Sequence, residues 1–173
     1  FGDPEIYTMA ANGDSQVNRS NNDVDDSNPA FSPDGTLIAF ASYRNANQEI
    51  YTMKANGTDK TPLTESSADD AEPSFSPNGR KLAFASYRNG NWDIYKMNVD
   101  GSSEKRLTAN SYAETEPAFS PDGKRIAFVG HRPGNLDVYK MAASGYDPTR
   151  LTNDTGWFDK GPDWQPVLDL SPF

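Results

Sequence analysis

A chain of 173 residues is long enough for one domain with a real core, and 35% hydrophobic with 12% aromatic content suits thin sheets packed through Phe, Tyr and Trp. A net charge of −9 and a pI near 4.5 leave no basic stripe to neutralise phosphates, which argues against a nucleic-acid partner and an anionic membrane surface. The absence of cysteine excludes disulfides, thiolate catalysis and Cys-ligated zinc, and no apolar run approaches the roughly 20 residues of a membrane span.

The chain repeats itself every 44 residues: Tyr7, Tyr51, Tyr95 and Tyr139 keep this step, as do Gly13, Gly57, Gly101 and Gly145. Pro29, Pro73 and Pro117 keep it too, and Pro162 follows one residue late. In chain order, residues 1–28 supply two strands of a partial blade, Glu5–Met9 and Gln16–Ser20. Three full blades follow at 29–72, 73–116 and 117–161, then a last inner strand at 162–166 and a tail at 167–173. Together, 1–166 form one repeat domain.

Residues 69–108 show the pattern of one blade. A short strand at 72–77 carries Phe75, and Asn78-Gly79 is a turn pair that permits positive φ. The segment 81–88 alternates, with Leu82 and Phe84 on one face and Ala83 and Ala85 on the other. A turn at 89–91, a strand at 93–97, the Asp100-Gly101 turn and a polar strand at 104–108 complete it. These four strands, a to d, run from the axis to the rim. No window carries a helical period, so the fold expected is an all-β propeller of four-stranded antiparallel blades. The proline is expected at the start of strand a, where it costs no ladder bond. Blades 29–72 and 73–116 agree at 21 of 44 positions, and these are mostly Gly, Pro and aromatic residues with structural roles.

The motif PxFSPDG, an alternating strand, [DE]-[IV]-Y-x-M and then L-T resembles the WD-like "PD" repeat of TolB-like β-propellers, from Pro4 to Pro166. "GPDWQP" at 161–166 is similar to the way such propellers finish. The resemblance implies a periplasmic or extracellular setting and a central funnel presented to a protein partner. It does not choose a function, because the same propeller serves scaffolds, receptors, lyases and peptidase caps.

Strands running alternately down and up put the b–c turns and d–a loops on one face, and the two Gly turns on the other. Three residues before each strand-a proline stand the acids Asp26, Asp70, Glu114 and Asp159; one residue before it come Asn28, Glu72, Glu116 and Gly161. All are expected to ring the channel mouth, as an acidic funnel for a cation or a basic peptide, or else to cap turns and pair with blade arginines. Arg44, Arg88 and Arg132 each precede an acid by five residues, so ion pairs Arg44–Glu49, Arg88–Asp93 and Arg132–Asp137 are expected across the b–c hairpins. Tyr43, Tyr87 and the lone histidine, His131, share one repeat position on this face, with Trp92 and Trp157 on or near it. They are candidate partner contacts, or packing.

No G-x-S-x-G elbow, H-E-x-x-H or phosphate loop is present. The leading expectation is a non-enzymatic binding or scaffold propeller holding a protein or peptide at the channel mouth. One alternative is a carbohydrate-binding or lyase-like propeller with Ca²⁺ or another hard cation held by Glu72 and Glu116. A second is a structural segment of a larger protein. Because strand b of the partial blade has no counterpart, the chain is expected to be completed by further blades or by a second copy.

Overall fold

The computed structural model describes residues 2–44, 46–153 and 156–165; the expected tail 167–173 and Pro166 lie outside them. The described residues form strands and turns without helix. Three four-stranded antiparallel meanders follow one another: β3 (Asp26–Phe31), β4 (Leu37–Arg44), β5 (Asn47–Lys54) and β6 (Thr61–Pro62); β7 (Asp70–Phe75), β8 (Lys81–Ser86), β9 (Asp93–Asn98) and β10 (Lys105–Arg106); β11 (Glu114–Phe119), β12 (Arg125–Arg132), β13 (Asn135–Ala142) and β14 (Thr149–Arg150). A two-stranded pair, β1 (Tyr7–Thr8) and β2 (Val17–Asn18), precedes them. The described residues thus form an all-β sector of antiparallel blades.

The cores lie between blades. Leu82, Phe84, Tyr95 and Met97 form the bulky face of the second blade and pack on Ala39 and Ile50, the small face of the first. Ile126, Phe128 and Met141 repeat this against Ala83 and Ile94. Ile38, Phe40, Tyr51 and Met53 pack on Ile6 of the leading pair. Strand alternation makes this possible, since one face carries large side chains and the other mostly small ones. Gly101 sits at φ +82°, and a Cβ there would stand 2.9 Å from the Leu63 carbonyl oxygen, so the c–d turn touches the neighbouring blade's backbone.

Several details differ from the sequence expectation. The inner strands begin earlier, at Asp26, Asp70 and Glu114, which puts each proline inside its strand rather than at the start. The ladder tolerates it because the register slips there, between Ser27 and Ala30, Ala71 and Ser74, and Thr115 and Ala118. β8 ends at Ser86, two residues before Arg88, because Tyr87 leaves the ladder for Trp92, with ring centroids 5.6 Å apart, and Asn89 turns to the Tyr95 hydroxyl.

The leading strands are two residues each instead of five, having only each other to pair with. Residues 162–165 form no strand: without a b neighbour they have no ladder to join, and Trp164 Nε1 instead donates to the Ala118 oxygen at 3.0 Å. Tyr7 and Met9 are 59% and 64% exposed, whereas Tyr51 and Met53, one repeat later, are buried.

Candidate functional site

The register slip in each inner strand builds the axis. Asn28, Glu72, Glu116 and Gly161, with Pro29, Pro73, Pro117 and Pro162, line one cavity of about 380 Å³. All four residues preceding the prolines have left-handed backbone, with φ of 50°, 57°, 54° and 61°. Glycine adopts this freely and asparagine tolerates it, but a glutamate held there costs about 1–3 kcal/mol. What holds it is visible. A Glu72 carboxylate oxygen accepts the Glu116 backbone N–H at 2.6 Å, and the Glu116 carboxylate accepts the Gly161 N–H. Each carboxylate thus ties its blade to the next, one repeat on.

Glu72 is pushed above its ordinary value of 4.5, first by burial and then by the Glu116 charge, while the Glu116 N–H and Lys160 pull the other way. A carboxyl raised in this way binds its proton more readily in the folded chain. Its contribution to stability is full below the unfolded value near 4.5 and is lost as pH rises through the folded value. Glu72→Gln keeps an oxygen for the Glu116 N–H and removes the charge. It is expected to raise Tm at pH 7 and to flatten the dependence of Tm on pH above about 4.5; a slope identical to the parent's would refute this.

The outer acids are elsewhere. Asp26, Asp70 and Glu114 are buried within the sheets and do not ring the mouth. Each stands in a row across its sheet: Asp26 opposite Ser42 and Glu49, Asp70 opposite Ser86 and Asp93, Glu114 opposite Gly130 and Asp137. Asp159 is half-buried, its N–H bonded to the Leu136 oxygen at 2.9 Å.

The expected hairpin pairs do not form; their members find other partners. Arg88 reaches Asp70 at 2.5 Å and also Glu104, and Arg132 reaches Glu114 at 3.2 Å. Asp93 is taken by Arg106 at 2.7 Å and Asp137 by Arg150 at 2.6 Å. Arg44 lies over the Tyr51 ring, 4.6 Å from its centroid, while Glu49 accepts from Asn47 and the Ser66 N–H. The reason is register. Each c-strand acid faces a small residue on b, two positions before the arginine; in the second and third blades that arginine turns diagonally to strand a and leaves the c acid to an arginine of strand d. Burial pushes Glu49, Asp93 and Glu114 above their ordinary values.

The hairpin ends carry the remaining candidates. Tyr43 and Tyr87 are each about half exposed, and the Tyr43 hydroxyl donates to the Ala46 oxygen at 3.1 Å. Trp92 is half-buried against Tyr87, and Trp157 is 73% exposed. His131 Nε2 lies 2.9 Å from Thr115 Oγ1, beside the axis. Burial pushes its pKa down; Glu116 opposes this, and Lys160 and Arg132 add to it.

Sequence reasoning missed Arg106, Arg150 and the threonines Thr64, Thr108 and Thr152, whose hydroxyls each accept the N–H of a c-strand residue at 2.9 Å. Their 44-residue spacing was the available signal. It also missed Lys160. Among the described residues, no group of three or more His, Asp or Glu side chains is placed to share an ion, and no helix is long and apolar enough to cross a membrane.

A family model described as the TolB beta propeller domain matches residues 63–169. The putative TolB from Agrobacterium tumefaciens superposes with a TM-score of 0.79 at 28% identity, covering 87% of this chain and 57% of that one. TolB from Acinetobacter baumannii gives 0.69 at 31% identity, over 86% of this chain and 37% of that one. This chain therefore spans between about a third and three fifths of those proteins. An oligogalacturonate lyase from Vibrio parahaemolyticus shares the fold, with a TM-score of 0.64 at 16% identity, over 91% of this chain and 49% of that one. No curated protein matches the sequence.

Proposed function

The chain belongs to the TolB β-propeller domain family, and on that premise we propose that it is a non-enzymatic binding module whose channel-mouth face holds a protein or peptide partner in the bacterial periplasm. The observation that carries this is the axial cavity. Glu72 and Glu116 are kept in a left-handed conformation that glycine would adopt without strain, and that conformation is what sets carboxylates around the opening. A net charge of −9 adds a field favouring a basic segment. Tyr43, Tyr87 and Trp157, all exposed, supply apolar contact of the kind that dominates protein interfaces.

The funnel belongs to a ring whose blades are covered on both faces. The chain is one sector of that ring, completed by further blades of a larger protein or by a second copy.

A photo-crosslinking residue at Tyr87, on the channel-mouth face, is expected to capture a discrete polypeptide from a periplasmic extract. The same residue at Lys124, on the Gly-turn face, is expected to capture none. Equal capture from both positions, or capture from Lys124 alone, would overturn the assignment of the face. The carbohydrate-active alternative, with calcium on Glu72 and Glu116, rests on fold likeness alone. It requires a rise in Tm with calcium that a chelator reverses.

A further inference from the structure

A second cavity, of about 450 Å³, opens at the rim between the second and third blades. Its walls include Leu107, Phe128, Tyr139 and Met141, with Arg132 at one side and Pro148 at the lip. The preceding blade shows how this crevice is closed. There Glu104 pairs with Arg88, Asn89 donates to the Tyr95 hydroxyl at 2.7 Å, and Tyr95 is only 7% exposed.

In the third blade both closing groups are prolines: Pro148 stands at the Glu104 position and Pro133 at the Asn89 position, each 44 residues on. Gly130 replaces Ser86, and a Cβ there would come within 2.7 Å of the Tyr139 ring, so the ring leans into space a serine would fill. Tyr139 accordingly stacks on Phe128 at 20°, whereas Tyr95 meets Phe84 at 33°. It is half-buried, and its hydroxyl has no hydrogen-bond partner among the described residues. Tyr112, where the equivalent position of the previous blade has Ala68, places its ring 4.4 Å from the Arg132 guanidinium; Tyr139 lies 4.9 Å away on the same group.

Arg132 is therefore held between two rings with one carboxylate, Glu114, where Arg88 has two. A guanidinium fixed by stacking keeps its remaining N–H groups pre-organised for a second oxyanion. In the first blade this position is Lys60, a cation that cannot pair with Arg44 as Glu104 pairs with Arg88.

We propose that this rim cavity is a binding site for a carboxylate carried on an apolar body, the carboxylate taking on Arg132 the place that Glu104 takes on Arg88. The apolar part lies on Leu107, Phe128 and Met141, and the Tyr139 hydroxyl donates to the second oxygen. Two sources share this chemistry, a free aromatic or aliphatic acid and the C-terminal carboxylate of a peptide ending in an apolar residue. The site is separate from the axial cavity and stands or falls independently of it.

The test is an NMR titration of the isotope-labelled chain with 3-phenylpropionate, and in parallel with a dipeptide ending in Phe. Saturable shifts are expected at Arg132 and Tyr139, with the amide of each probe binding at least about tenfold more weakly. Tighter binding of one probe identifies the source. Pro148→Glu supplies the missing carboxylate from within; it is expected to keep or raise Tm and to weaken binding by at least about tenfold. Tyr112→Ala, which copies Ala68, weakens binding without touching the core. The proposal is overturned if neither probe gives saturable shifts at the cavity, if the amides bind as well as the acids, or if both variants bind like the parent.

Discussion

Arg88→Met is expected to destabilise the chain by about 3–5 kcal/mol, because it leaves Asp70 fully buried with its guanidinium partner gone. The effect belongs to the orphaned charge rather than to the ion pair as such. Replacing both partners, as in Asp70→Asn with Arg88→Met, is accordingly expected to recover most of the loss. Urea unfolding at pH 7 measures both variants, and the cycle separates their coupling from their individual costs. A loss below about 1 kcal/mol for Arg88→Met would place the pair among solvent-screened contacts. A double variant as unstable as the single one would mean that the packing of the Arg88 stem, not charge, is what counts.

A second large effect is expected at the c–d turns. Gly101→Ala and Gly13→Ala put a side chain into the same left-handed turn, at φ of +82° and +88°, and so share a conformational cost of about 1–2 kcal/mol. They differ in what the new methyl meets. At Gly13 nothing lies within 4 Å, whereas at Gly101 the Leu63 carbonyl oxygen stands at 2.9 Å and is backbone, so the blades must part. Gly101→Ala is expected to cost about 1–3 kcal/mol more than its counterpart. Equal losses would mean that blade contact at this turn contributes nothing to stability.

Much of this architecture was legible because a repeat writes each structural decision several times. The 44-residue step fixed which glycines turn, and the alternation around Phe84 fixed which face is bulky. The position before each inner proline was singled out by the repeat, and Asn28, Glu72 and Glu116 line one cavity. The slip of register beside those prolines was not legible. It depends on left-handed glutamates, which no propensity favours and which the carboxylate bond to the next blade sustains.

Ion pairing was misread for a related reason. Spacing along the chain placed Arg88 near Asp93, but direct opposition in the ladder sets Asp93 against Ser86, and the arginine serves strand a instead. Proximity in sequence and proximity across a sheet are set by different periods. The rim cavity escaped notice because its signal is a set of departures in one blade, Gly130, Pro133, Pro148 and Tyr112, each of which alone resembles drift.

On the proposed reading, each blade is built to be covered on both faces, and the axial funnel is the property of a completed ring. Tyr7 and Met9 lie open on the bulky face of the leading pair, and Leu151 is 48% exposed where Leu107 is buried under the next blade. The two open faces are complementary in kind, bulky against small, which a second copy can satisfy twice around one axis. Sedimentation equilibrium of the isolated chain at micromolar concentration tests this directly. The expected mass is at least twice 19.0 kDa, with Tyr7 and Leu151 protected from solvent in the assembly. A single, protease-resistant species at 19.0 kDa would contradict it.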